Sequence, residues 1–502
     1  MTASAHHGAP TTVAEPPFVV RGALAQKMVI LTAFLAAFMS LLDAYIVMVS
    51  IPVIAHDLVA TTSEVARIVL VYFLMLTSTL LLFGRLADQY GVRKILGIGF
   101  IVFTVGSLLC GLSHTLAALL AARAVQGLGA AMLGATMYSV VTRFLPHAAR
   151  GRGLAMLAIA AALGVSAGAP LGGLITSFLG WHWIFFINVP IGIASFFLAL
   201  NALPREPAQQ KRPLDIGGTI LSFAGLFCLL FGLNNGQEEG WGSATVIGLF
   251  VAFLLFTACF AAWERRCRNP LLDLALFAER RFVASLAANL FCFMIMAGGN
   301  YLVPFYLMLT RGVDECASGF ILLIYSAAIA LLSPFVGRLL SPGRAGAMAV
   351  GGAMGFMTNC LIFVVLLPRP GLFPVCAYLF VLGLAAAVCV TSNNYLATSL
   401  APEGKQGSIS GMLRLAINLG QALGVAFLET IFSQFLPASS GCGGSLSRSG
   451  LPPEALYPAF RYAFAASILL GLSAATFSFF SARNLGTKKA IIDVAETSPC
   501  NY

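Results

Sequence analysis

The sequence predicts an all-α integral membrane protein of two six-helix bundles joined by an inserted helix pair, and three observations predict it. The chain of 502 residues is 59% hydrophobic and only 10% charged, whereas water-soluble globules carry about 25% charged residues. Its apolar residues gather into fourteen stretches, each long enough to cross a hydrocarbon layer, which takes roughly 20 residues. A polar segment with spaced glycines follows the second stretch and is echoed after the tenth, which marks a duplicated chain.

The spans start near residues 26, 65, 95, 116, 152, 181, 214, 244, 281, 316, 344, 372, 405 and 458. Residues 1–25 form a cytoplasmic tail without an apolar core of signal-peptide length, so the first span stays as an anchor. Residues 26–203 form the first six-helix bundle and 281–482 the second. Between them, 204–280 are a linker carrying spans seven and eight, bounded by polar residues 204–213 and 264–281. A Gly- and Ser-rich outer loop, 437–457, is a flexible surface segment, and 483–502 form a second cytoplasmic tail.

The net charge of +10 reports topology rather than a nucleic-acid partner. With the N-terminus inside, 22 of the 29 Lys and Arg lie on cytoplasmic segments, as the positive-inside rule requires. Arg67, Arg311, Arg369, Arg448 and Arg461 lie outside. Trp181, Trp183, Trp241 and Trp263 fall at span ends, where an aromatic belt sits. The eleven Cys show no C-x-x-C pair or metal spacing; nearly all read as packing residues, with a disulfide open only to Cys316 and Cys442 in outer loops. His6 and His7 read as tail residues, and no metal or phosphate-binding motif occurs.

The segment after the second span reads Gly84-Arg85-Leu86-Ala87-Asp88-Gln89-Tyr90-Gly91-Val92-Arg93-Lys94. Two glycines let the chain reverse tightly, and Asp88 can pair with Arg85, Arg93 or the end of another helix. Such a clasp can hold one face of a transporter shut. The echo, Gly337-Arg338-Leu339-Leu340-Ser341-Pro342-Gly343-Arg344, has Ser341 in place of the acid.

A charge inside hydrocarbon costs about 2.5 to 3.5 kcal/mol even on lenient scales, so Asp43, Arg123, Arg414 and Glu429 each need a reason. Burial in a low dielectric favours the neutral form of an acid, which makes Asp43 the candidate proton carrier; the alternative is a permanently ionised acid locked to a partner. Arg123 cannot deprotonate, so it is either a fixed charge that acts on a nearby carboxylate or a structural residue held by backbone carbonyls. Gln126, one turn later, can join the same network. Arg414 and Glu429 stand about 22 Å apart along a helix, too far to pair. Glu429 is either a second proton or cation site or a side chain snorkelling to the interface.

Gly164, Gly168 and Gly172 repeat every fourth residue and form a smooth packing stripe near Pro170. Ser166 lies in a G-x-S-x-G pattern, but that hydrolase elbow needs a strand-to-helix turn and here falls inside a span. Tyr45, Tyr72, Gln126, Asn289, Asn300, Tyr301, Asn393, Asn394 and Arg414 are the substrate-contact candidates, against interhelical hydrogen bonding as their other use. The 39 Phe suit an apolar, forgiving cavity.

Four segments resemble the major facilitator superfamily, specifically its fourteen-helix drug:proton antiporters. They are Leu42-Asp43 through Ile51-Pro52, the 84–94 segment, Arg123 through Ala131, and Trp181-His182-Trp183-Ile184-Phe185-Phe186-Ile187-Asn188-Val189-Pro190-Ile191-Gly192; Asn269-Pro270-Leu271-Leu272-Asp273 is a weaker match. The chain departs from the pattern at Met48, at Arg67, where the family usually has Trp, and at Pro170, one residue later than in the antiporter signature. The resemblance implies the major facilitator fold and proton-coupled efflux, with Asp43, Arg123 and Glu429 in coupling, Arg123 as a switch, and Gly84, Arg85, Asp88, Gly91, Arg93 and Lys94 as a gate. It places Arg414 at a commonly basic position. It further implies a multi-pass protein of a plasma or bacterial inner membrane, working as a monomer without a cofactor, whose partners are a small molecule and the bilayer. A proton symporter or facilitator, and a non-transporting receptor or intramembrane enzyme, are the competing readings.

Overall fold

A computed structural model describes residues 19–205, 215–267, 277–341, 343–366, 371–399, 406–436 and 453–482. Among these residues there is no strand. The first bundle holds α1 (Ala23–Asp57), α2 (Thr62–Tyr90), α3 (Val92–Gly111), α4 (Leu116–Phe144), α5 (His147–Leu179), α6 (Trp183–Phe186) and α7 (Asn188–Ala202). The insert is α8 (Ile216–Glu238) and α9 (Ala244–Arg266). The second bundle holds α10 (Arg280–Arg311), α11 (Glu315–Leu339), α12 (Ala345–Leu366), α13 (Phe373–Ser399), α14 (Gln406–Gln434) and α15 (Pro453–Ala482). Among the described residues, fourteen segments are long and apolar enough to cross a membrane, α6 and α7 together making the sixth.

Local chemistry sets the helix ends. Thr61 and Glu64 close a reciprocal cap on α2, with the Thr61 amide donating to Glu64 Oε2 at 2.8 Å and the Glu64 amide to Thr61 Oγ1 at 3.2 Å, which satisfies two otherwise orphaned donors. The other end of α2 corrects the expected two-glycine loop. Gly84 stays inside the helix, and only Gly91, at φ +94°, turns the chain. A lone glycine costs a helix about 1 kcal/mol, too little to stop one that continues through Arg, Leu, Ala and Gln. The helices of the fifth and fourteenth spans start at His147 and Pro453, ahead of the expected 152 and 458, because helical structure extends past the apolar window; the apolar span within α5 itself begins at Arg152, as expected.

The duplication is visible in the packing. α1 against α5, α2 against α4 and α3 against α4 recur as α10 against α14, α11 against α13 and α12 against α13. The bundles meet along two matching seams, α2 against α14 and α5 against α11. Away from the 84–94 turn, Ser326 Oγ donates to the Val165 carbonyl at 3.2 Å and the Tyr301 hydroxyl to the Thr62 carbonyl at 2.9 Å. The glycine stripe serves α1: a Cβ on Gly168 would lie 2.7 Å from Tyr45 Cβ, and one on Gly164 3.0 Å from the Phe38 carbonyl oxygen, while Gly172 backs onto Ile46. Pro170 lies on the α5–α11 seam, 3.2 Å from where a Gly319 Cβ would stand.

The insert is not a detached pair. α8 packs on both α2 and α14, and α9 packs on α8. Arg67 lies in the second turn of α2, where its Nε donates to Asn234 Oδ1 on α8 at 2.5 Å. Trp181 departs from the aromatic belt: it is 2% exposed, stacks on His182 and donates from its indole N–H to Asp57 at 2.7 Å. Trp183, Trp241 and Trp263 stay about half exposed.

Candidate functional site

The core of the first bundle brings α1, α3, α4 and α7 to one point. Asp43 is fully buried and Arg123 is 1% exposed. Arg123 Nη1 donates to Asp43 Oδ2 at 2.7 Å and to Gln126 Oε1 at 2.6 Å, and its Nε donates to the Ile68 carbonyl at 3.2 Å. Gln126 Nε2 donates to Asp43 Oδ1 at 2.7 Å and to Ser107 Oγ at 2.8 Å. Asn188 Nδ2 adds a further donor to Asp43 Oδ1 at 3.0 Å. The guanidinium lies over the Tyr72 ring at 4.2 Å, a favourable cation–π placement, and the Tyr72 hydroxyl donates to the Ser40 carbonyl at 3.3 Å.

Three donors therefore converge on a carboxylate that lies away from water. Removing two ions from solvent costs several kcal/mol each, and only such saturated geometry offsets it. Both carboxylate oxygens of Asp43 accept hydrogen bonds in this arrangement. The sequence singled out Asp43, Arg123 and Gln126. It gave no role to Asn188, although that residue lies in the matching Trp181–Gly192 segment, and it missed Ser107, a neutral side chain whose presence in a span costs little and so gives no signal.

The 84–94 region forms a second constellation. Asp88, 55% exposed, accepts from Arg143 at the end of α4, the helix-end option among the expected partners. Arg93 Nη2 donates to the Leu200 carbonyl on α7 at 2.5 Å, and Lys94 lies over the Tyr90 ring at 5.6 Å. These contacts tie α2, α3, α4 and α7 together beside Gly91. Gly84 adjoins open space.

Elsewhere the candidates separate. Glu429 is fully buried and adjoins Tyr301, which overturns snorkelling to the interface: the side chain faces into the helix packing. Arg414 is half-buried on α14, within electrostatic reach of Tyr72 on α2. Asn289, Asn300 and Asn393 donate to the carbonyls of Ser285, Met296 and Cys389, each four residues back at 2.9 to 3.1 Å, the interhelical bond surviving at Asn393 Nδ2 to Ser478 Oγ, 3.1 Å. Tyr45 adjoins Gln421 and Tyr325, and Tyr325 adjoins Asn300, so α1, α10, α11 and α14 converge between the bundles. Tyr325 and Gln421 are additions to the expected lining; Asn394 is half-buried on α13.

Ser166 lies inside α5, without a strand-to-helix turn. Cys442 and Asn269–Asp273 lie outside the described residues. At the end of the bundle opposite Gly91, burial pushes the His182 imidazole below the ordinary histidine value, against the pull of the Ser113 carbonyl. The His182 ring is thus an unpromising place for a proton to load.

A family model described as the Major Facilitator Superfamily matches residues 33–425. The riboflavin transporter RibZ of Clostridioides difficile is 31% identical over 416 residues, 82% of this chain and 89% of that protein. The multidrug resistance protein Stp of Mycobacterium tuberculosis is 30% identical over 417 residues, 82% of this chain and 77% of that protein. The tetracenomycin C resistance and export protein of Streptomyces glaucescens is 28% identical over 405 residues, 80% of this chain and 75% of its own length. Among solved structures, a bacterial homolog of the human lysosomal transporter Spinster, inward-facing and unoccupied, superposes with a TM-score of 0.64 at 15% identity, over 92% of this chain and 98% of that one.

Proposed function

The chain belongs to the Major Facilitator Superfamily of membrane transporters, and from that premise we propose that it exports an apolar or amphipathic small organic molecule in exchange for protons. The family and fold are those of transporters, not enzymes. The observation that carries the reading is the buried Asp43–Arg123 pair and its saturated hydrogen bonding. In this mechanism a proton taken up by Asp43 releases Arg123 from α1. The Asp43–Arg123 link between α1 and α4 then loosens, and the clasp at Asp88 and Arg143 sets which face is shut.

The protein works as a monomer in a plasma or bacterial inner membrane, with both termini and the 84–94 turn cytoplasmic. It needs no cofactor, binds no nucleic acid and draws on the proton gradient. One proton crossing 100 mV yields about 2.3 kcal/mol, and at about 1.4 kcal/mol per tenfold that supports roughly a 40-fold gradient of a neutral solute. Glu429 is a second proton site in this scheme. Tyr45, Asn300, Tyr325 and Gln421, between the bundles, line the path of the substrate.

A second reading is proton symport or facilitated movement of a metabolite, supported by a relative named as a riboflavin transporter and by the late Pro170. Proteoliposomes given an acid interior, with ethidium and riboflavin as probes within a screen across chemical classes, separate the readings. Antiport accumulates a probe, symport expels it, and a facilitator ignores the gradient. Failure to move any compound of the screen would overturn both.

A further inference from the structure

Asn188 carries the one oxygen of the buried Asp43 network, among the described residues, that has no donor. Its Nδ2 faces Asp43 Oδ1 at 3.0 Å while its own Oδ1 is buried and unpartnered. An unsatisfied buried acceptor is costly and calls for a reason.

A proton arriving on Asp43 turns one carboxylate oxygen from acceptor into donor. On Oδ2 it would face Arg123, which has donors only. On Oδ1 it would face the N–H groups of Gln126 and Asn188. Gln126 is held at both ends, its Oε1 accepting from Arg123 at 2.6 Å and its Nε2 donating to Ser107 at 2.8 Å, so turning its amide over would break the network. Asn188 has no such tie. Rotating its terminal amide exchanges N–H for C=O in front of Asp43 and gives up no hydrogen bond other than the one being replaced.

We infer that Asn188 is a positioning residue that reads the protonation state of Asp43, offering its N–H to the carboxylate and its carbonyl to the acid. The Nδ2–H···Oδ1 bond breaks as an Asp43 O–H bond to the amide oxygen forms, and the proton stays on Asp43. Both forms of Asp43 then remain hydrogen-bonded, so loading a proton does not strand a buried donor. Asn188 opens α7 directly after the one-residue break at Ile187, and Pro190, lacking an N–H, leaves the Phe186 carbonyl without its helical donor. The residue therefore stands at a break in the helical bonding of the sixth span. This inference rests on Asp43 being the proton carrier.

Infrared difference spectroscopy of the reconstituted full-length protein, acid minus neutral, tests it. An acid carbonyl band should appear and vanish in Asp43→Asn. A shift of an asparagine side-chain carbonyl, identified by carbon-13 asparagine in the otherwise unaltered protein, should accompany it and vanish in both Asp43→Asn and Asn188→Leu. Asn188→Ser, whose hydroxyl both donates and accepts, should keep the acid band closer to its original frequency than Asn188→Leu does. An Asp43 band with no asparagine shift, or a shift that survives Asn188→Leu, overturns the role of Asn188. Absence of the Asp43 band overturns instead the proton-carrier reading on which it rests.

Discussion

The same helix crossing occurs twice in this molecule, with opposite contents. Where α1 meets α4 the first bundle buries a carboxylate and a guanidinium 2.7 Å apart. Where α10 meets α13, the matching crossing of the second bundle, two thiols face each other, with Cys292 Sγ and Cys389 Sγ 3.0 Å apart and Asn393 and Ser478 alongside. The second crossing shows that this packing stands on neutral side chains alone. The charges of the first crossing are therefore not required by the architecture. They impose a desolvation cost that a neutral crossing avoids, and a functional use for them is the economical explanation.

The largest expected effect comes from making the first crossing resemble the second. Asp43→Asn should abolish the response of flux to an imposed pH gradient while leaving expression intact, measured in proteoliposomes; a gradient response equal to the unaltered protein would dissolve the contrast. Arg123→Leu should come next, because it leaves a buried carboxylate without its cation, a loss of about 3–5 kcal/mol. Thermal unfolding in detergent should show it at neutral pH and show less of it in acid, where Asp43 can take a proton instead. Asp88→Asn should slow turnover severalfold, yet change stability by only about 0–1 kcal/mol, as for exposed ion pairs; unchanged flux together with unchanged accessibility of cysteine probes on both faces would remove it from the gate. Smallest of all, Cys292→Ala with Cys389→Ala should leave the pH response of flux untouched and cost about 0.5–3 kcal/mol for packing. A lost pH response in that variant would show that both crossings titrate.

The uneven legibility of the sequence follows from the same contrast. Spans are readable because a bilayer demands long apolar runs, so the helices lie within a few residues of their expected starts. Asp43 and Arg123 are readable because charge in a span is rare and expensive. Ser107 and the facing thiols Cys292 and Cys389 are ordinary residues until the fold brings them together, and Asn188 is marked only as part of a matching segment. Gly84 misled because spacing suggests a turn at both glycines, whereas the backbone needs a positive φ only at Gly91. Glu429 stands open in the sequence between a buried site and snorkelling to the interface, because a place near a span end fits both, and only the packing decides for burial.

The inserted helix α8 touches both bundles, but its two attachments are unequal. Toward α2 it holds the Arg67 guanidinium through Asn234 at 2.5 Å and Asn235 at 3.4 Å, bonds strengthened by charge. Toward α14 it offers the Leu233 carbonyl to the Thr430 hydroxyl at 3.3 Å, a neutral contact that is easily exchanged. The insert is therefore tied more strongly to the first bundle, and any movement between the bundles would meet less resistance at its face toward α14.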